Sequence, residues 1–321
     1  MATSQALTRT RARTKTKVKL GKQAKREERI FYAFISLWLI GFILFDAGPI
    51  IASFFISLTD WSILGDPHWI GFANYRRLVD DQTFAKAVRN TLYFGLGSVS
   101  LGIVVSFLLA MLLNQPIRAV GFFRLIFYLP VLVSGISVAI LWTNILHPDY
   151  GLINASLAKV GIQGPLWLQS QDWAMPGLIL MSLWGGVGLW GVGGLTVIFL
   201  AGLQGVPQHL YEAAVLDGAG PWSKFWNVTV PMMSPVIFYN IIVGIITSLQ
   251  GYVLFLIMTD GRPANATLVV GLYVYRIAFR FLDLGYASAI AWVMLLGIML
   301  LTLVYFFTGR FWVYYEGDTA R

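Results

Sequence analysis

The sequence contains no cysteine, which removes disulfides, thiolate metal sites, iron–sulfur clusters and cysteine nucleophiles. Histidine is almost as scarce: His68, His147 and His209 stand apart, and none forms a His-x-x-x-His pair, so each reads as a loop or interface residue. No G-x-x-x-x-G-K-S/T run occurs, and Gly21-Lys22 has no preceding glycine loop, so the chain does not bind ATP in the P-loop manner. Charge is sparse throughout, at 12% of 321 residues. Within the apolar runs it falls to Asp46 and Arg124, which argues against a proton-driven carrier with buried acids on its pathway. Sodium coupling through unwound backbone stays open. Asp46 precedes Gly48-Pro49 and reads as part of a helix kink.

What the sequence has in abundance is apolar surface. Hydrophobic residues make up 57% of the chain, more than a soluble domain of this size can bury, so the solvent is a bilayer. The 12 Trp, 14 Tyr and 22 Phe cluster near the ends of apolar runs, where aromatic rings favour the interface. Six runs reach the roughly 20 residues that a helix needs to cross the hydrocarbon: 31–56, 91–114, 123–146, 173–203, 233–259 and 284–308. The expected fold class is therefore an all-α integral membrane protein with six transmembrane helices.

Residues 1–29 carry ten Lys or Arg against Glu27 and Glu28, a basic flank that favours the cytoplasmic side. The basic region is too long for a signal peptide, and no small-residue cleavage site follows the apolar run; the Arg- and Thr-rich composition is closer to an organellar transit peptide. A solvated, topology-setting tail fits better than a transit peptide or a nucleic-acid arm. Six crossings return the C-terminus to the cytoplasm and place the insert between spans four and five there too. The expected layout is a basic, disordered tail over 1–30, a six-span membrane domain over 31–310 holding a cytoplasmic loop at 205–235, and a cytoplasmic tail over 311–321.

That insert is the most informative stretch. Residues 211–235 read YEAAVLDGAGPWSKFWNVTVPMMSP. Pro207 sits where a helix can begin, and Gly218 with Gly220-Pro221 supplies a stop. Tyr211, Ala214, Val215 and Gly218 recur at helical spacing, while Ala213, Ala214 and Gly218 are small enough for another surface to approach. Glu212 in the first turn favours the positive helix end and can pair with a basic residue on a partner. The bland alternative is an interfacial helix joining two spans, with Glu212 facing water.

Glu212-Ala213-Ala214, then Gly218, then Val228-Thr229-Val230-Pro231 resembles the cytoplasmic coupling loop of binding-protein-dependent ABC importer permeases, usually written EAA, G, I-x-L-P. FFRLIFYLP from Phe122, LWTNILHPDYGLIN from Leu141, FLAGLQGVPQHLYEAA from Phe199 and YRIAFRFLDLGYASA from Tyr275 look like the carbohydrate-uptake branch of that family. Within that branch the chain is similar to the first of two paired permeases in maltose-, lactose- or glycerol-3-phosphate-like systems. One departure stands out: the usual Gly-Gly-Pro after span five reads Gly261-Arg262-Pro263.

The resemblance implies that Tyr211, Glu212, Ala213, Ala214, Asp217, Gly218, Ala219 and Pro231 of this loop couple the chain to an ATPase. It implies an assembly with two ATPase subunits, a second and different permease, and an external solute-binding protein docked on loops 57–90 and 147–172. No cofactor is expected in this chain, since ATP and Mg would be bound by the partner ATPase; nor is a metal, a nucleic acid or a catalytic residue. The implied site of action is the bacterial or archaeal cytoplasmic (inner) membrane, amid lipid, with both termini cytoplasmic and a sugar or sugar-like solute as cargo.

For the solute path, Gly244, Thr247, Ser248 and Gly251 form a small, hydroxyl-bearing stripe, with Gln250 and Tyr252 beside it. Gly191 and Gly194, together with Gly185, Gly188, Trp184 and Trp190, mark span four. Hydroxyls, amides and aromatic rings suit a sugar, and spans four and five line the cavity in permeases of this kind. Stripes of small residues also mediate close helix packing, and that reading stays open beside the first. The alternatives from other classes are an ion-gradient-driven secondary transporter of a small polar solute and a non-transporting membrane scaffold.

Overall fold

Backbone immersed in hydrocarbon must satisfy its own hydrogen bonds, which helices do within one segment. In the computed structural model, residues 22–116, 118–185 and 191–314 are described; they form helices and no β-strand, two isolated bridges apart. In chain order the helices are α1 Lys22–Ser57, α2 Ala73–Asp80, α3 Gln82–Leu113, α4 Val120–Leu132, α5 Gly135–Ile145, α6 Leu152–Lys159 and α7 Ala174–Gly185. After residues 186–190 follow α8 Val192–Gln204, α9 Gln208–Leu216, α10 Pro221–Gln250, α11 Val253–Met258, α12 Val270–Tyr275 and α13 Leu284–Gly309.

By length and composition, α1, α3, α10 and α13 can each cross a membrane. The expected third span is broken instead: α4 and α5 meet at 101°, with Val133 extended just after Pro130. The expected fourth span is represented by two shorter apolar helices, α7 and α8. The expected fifth span begins earlier than its apolar run, at Pro221, and stops at Gln250 before α11 resumes. Most of the N-terminal basic tail, residues 1–21, and residues 315–321 of the C-terminal tail lie outside the described residues, as do Gly188 and Trp190.

The chain divides into two units, one ending at Ser53 and the other beginning at Phe54. In the first, the expected kink beside Asp46 is a π-helical turn, Ile43–Ala47, within a helix that continues beyond it. Gly48 N–H reaches back to the Ile43 carbonyl, and a Cβ at Gly48 would lie 2.7 Å from that oxygen. The widened turn relieves the clash that Pro49 otherwise makes with the carbonyl four residues before it.

In the second unit, α3 packs along α7, α8 and α10. Two apolar cores flank it. One gathers Phe94, Trp142, Leu178, Met181, Phe255 and Leu272; the other gathers Ile103, Phe107, Leu195, Phe199, Leu203 and Met233. Ring pairs Phe94–Phe255 and Phe107–Phe199 meet edge-on at 4.8 and 5.4 Å. Arg124 is accounted for by packing: its Nη2 donates to the Leu113 carbonyl at 3.0 Å, capping the end of α3. Gly193 lets α8 approach α4, since any side chain there would run into the Phe127 carbonyl.

Candidate functional site

Where the two cores meet, a cavity of about 330 Å³ opens. The end of α10 and the break after it supply Gly244, Thr247, Ser248, Gln250, Gly251 and Tyr252; α11 adds Val253, Leu254 and Phe255. Phe94, Ser98 and Val99 come from α3, Ser182 from α7 and Leu195 from α8. None of these side chains is charged.

The break in α10 is what shapes this wall. Gly251 is extended and Tyr252 lies outside both helices, so the main chain turns at the cavity. Tyr252 stacks on Tyr275 with ring centroids 5.6 Å apart and planes inclined by 22°. Thr247 Oγ1 donates to the Val243 carbonyl at 2.8 Å, Ser98 Oγ to Phe94 at 2.7 Å and Ser182 Oγ to Ile179 at 2.7 Å. Each hydroxyl spends its proton on its own helix and keeps lone pairs that can accept from a donor in the cavity. Such a wall can bind a polyhydroxylated solute, with aromatic faces for its C–H surfaces.

Six of the eight residues singled out for a solute path thus line one cavity. Gly191 and Gly194 are not among its lining residues. Both are buried, Gly191 just before α8, where its carbonyl accepts from Gly194 N–H at 3.1 Å. Packing also accounts for part of the α10 stripe: a Cβ at Gly95 of α3 would sit 3.2 Å from Ser248 Oγ. Sequence reasoning missed the α3 contribution. Its signal was a second run of small residues, Gly95, Ser98, Gly102 and Ser106, on one helical face.

The second candidate region is α9. Pro207 precedes its first turn, and the helix closes in a Schellman motif: Ala219 N–H donates to the Ala214 carbonyl at 2.8 Å and Gly218 N–H to Val215 at 3.0 Å. Gly218 has φ +77°, which a residue with a Cβ adopts only under strain. The spacing from Ala214 to Gly218 is therefore the spacing of a helix stop. Glu212, Ala213, Val215, Leu216 and Asp217 are exposed, whereas Tyr211, Ala214 and Ala219 are half-buried. Tyr211 Oη lies 3.0 Å from Thr229 Oγ1. Pro231, half-buried, belongs to α10 rather than to a loop, following a second π-helical turn, Phe225–Thr229.

Away from both regions, Asp81 and Asp260 anchor polar networks. Asp81 caps α3, accepting from Thr83 and Phe84 N–H and from the hydroxyls of Tyr273 and Tyr286, each 2.6 Å from Oδ2. Burial pushes its pKa up, but the Tyr273, Tyr286, Phe84 and Thr83 donors outweigh it and hold the carboxyl below its ordinary value. At Asp260, burial is likewise outweighed by the hydrogen bond from Arg280 and the charges of Arg276, Arg280 and Arg262. The arginine that departs from Gly-Gly-Pro, Arg262, thus adds to an existing cationic cluster. Among the described residues, no group of His, Asp and Glu could hold a metal ion.

Residues 102–312 match the family described as binding-protein-dependent transport system inner membrane component. The chain is 36% identical over 304 residues to a probable ABC transporter permease protein, YesP, of Bacillus subtilis, covering 93% of this chain and 96% of that one. It is 34% identical over 246 residues to the lactose transport system permease protein LacF of Rhizobium radiobacter, covering 75% and 80%. Its fold matches a chain in the crystal structure of a bacterial ABC transporter involved in the import of the acidic polysaccharide alginate, with a TM-score of 0.77, 23% identity and coverage of 90% and 97%. The chain belongs to the family of binding-protein-dependent transport system inner membrane components, and is a permease subunit of an ABC importer rather than an enzyme.

Proposed function

We propose that this permease carries an uncharged saccharide inward, through the cavity at the end of α10, driven by an ATPase that grips α9. The carrying observation is the cavity wall, which combines hydroxyl and amide groups and an aromatic platform with no charged side chain. Its volume falls within the roughly 300–1,000 Å³ of ordinary ligand pockets. An anionic solute would lose its hydration there without a cation to replace it. The similarity to a lactose transport system permease of Rhizobium radiobacter supports a sugar as cargo.

In this reading the chain crosses the inner membrane six times with both termini cytoplasmic. Two ATPase subunits bind ATP and Mg, a second permease completes the pathway, and an external solute-binding protein delivers the sugar. The basic tail, the six-span domain, the loop at 205–235 and the C-terminal tail keep the roles their composition gives them. Glu212, Ala213 and Asp217 face the ATPase; Tyr211, Ala214, Gly218, Ala219 and Pro231 shape and seat the helix. Thr247, Ser248, Gln250, Gly251, Tyr252 and Gly244 line the solute path. Membership of a binding-protein-dependent family favours this reading over an ion-gradient carrier.

Purifying the chain from its native membrane in mild detergent tests the assembly. The expected result is an ATPase at two copies per complex with one further permease. A chain that purifies alone from several detergents, and moves lactose into vesicles without ATP, would overturn the reading.

A further inference from the structure

Of the half-buried residues on α9, Tyr211 is the one whose side chain makes a hydrogen bond to α10. Glu212, Ala213, Val215 and Leu216 are exposed, but Tyr211 is half-buried and points back toward α10. Its hydroxyl meets that of Thr229, which is only 6% exposed. Thr229 also makes a long 3.4 Å contact with the Lys224 carbonyl, which leaves the Tyr211 phenol as the natural donor of the pair.

Thr229 is the last residue of the π-helical turn Phe225–Thr229. Such turns occur as single insertions inside α-helices, frequently at functional sites. Here the turn lies within a helix that continues to Gln250. Thr247, in the cavity wall, stands about 27 Å farther along α10 than Thr229. One end of this rod is held by α9 and the other forms the cavity.

We infer that the Tyr211–Thr229 hydrogen bond is the joint through which movement of α9 is passed into α10 and on to the cavity wall. Tyr211 and Thr229 are then positioning residues for transport, and Tyr211 contacts the permease's own helix rather than the ATPase. The inference rests on α9 being the ATPase-coupling helix.

Because the chain has no cysteine, Ser98→Cys gives it a single thiol in the cavity wall, whose alkylation is read on this chain after it is separated from its partners. The complex, purified with its ATPase, is alkylated with N-ethylmaleimide with and without Mg-ATP, and ATP hydrolysis is followed in the same samples. With Tyr211 and Thr229 intact, Mg-ATP changes the alkylation rate. Tyr211→Phe, which keeps the ring and removes the hydroxyl, should shrink that change roughly five-fold while hydrolysis and ATPase co-purification continue, the scale of one lost hydrogen bond. Thr229→Val should do the same, the double variant should be no worse than either single one, and Thr229→Ser should restore the response.

An undiminished response in Tyr211→Phe would overturn the inference. So would loss of the ATPase from that variant, since Tyr211 would then be a partner contact. If Mg-ATP leaves the rate unchanged even with Tyr211 and Thr229 intact, the transport reading of the cavity fails, and this inference falls with it.

Discussion

At Ser248 the two readings of a small-residue stripe, packing and lining, make opposite demands. The side chain both borders the cavity and lies against Gly95 of α3. Ser248→Trp places an indole in a space of about 330 Å³. The expected outcome is loss of uptake in reconstituted vesicles while the ATPase still co-purifies. Unimpaired uptake would return the stripe to packing alone. Asp81 offers a test of a different kind, because its role is to hold α2, α3, α12 and α13 together through one carboxylate. Asp81→Asn should destabilise the detergent-solubilised protein by about 1–2 kcal/mol, the scale of a weakened cap and weakened charged hydrogen bonds. A carboxyl whose folded pKa lies below its unfolded value stabilises above the unfolded pKa, and that contribution disappears as pH falls through the folded one. The difference in thermal unfolding between the two proteins should thus be full at pH 7 and vanish below the ordinary carboxylate range, whose reference here is 3.8. A difference that persists under acid conditions would assign the effect to shape rather than charge. Asp81 was invisible to sequence reasoning, since its partners Tyr273 and Tyr286 lie far along the chain.

At the level of the element, α9 was readable because its signals are local. Pro207 fixes the start, and Gly218 fixes the stop through a backbone conformation that favours glycine. Glu212→Ala with Gly218→Leu should abolish sugar uptake with the protein still in the membrane; normal uptake by that pair would remove α9 from the coupling role. The interruptions of the long helices were harder to read. Hydropathy ran unbroken through Val133-Ser134 and through Gly251-Tyr252, yet both are sites where helices end. An apolar run reports only that a segment suits lipid, and says little about whether its backbone stays helical. The same limit hid the π turns, although a shared cue existed. Both Ile43–Ala47 and Phe225–Thr229 end two residues before a proline, Pro49 and Pro231. In each case the next N–H bonds five residues back, which moves the opposed carbonyl away from the proline ring.

On the scale of the whole molecule, side-chain chemistry and crossing number are separate questions. Among the described residues, four helices are long and apolar enough to span, α4 and α5 form a bent pair, and α7 and α8 are shorter. The positive-inside argument needs all of these to resolve into an even number of crossings. The cysteine-free background makes that testable with two substitutions on opposite sides of α7 and α8. Gln169, exposed before α7, should face outward; Asp217, exposed at the end of α9, should face the cytoplasm. With a membrane-impermeant maleimide, Gln169→Cys should label on intact cells and Asp217→Cys only after permeabilisation. If both label from outside, α7 and α8 do not make a crossing together, and α9 lies out of reach of ATP. That outcome would undo the coupling assignment even with every hydrogen bond of α9 intact, because a helix can transmit the work of an ATPase only from the side where the ATPase stands.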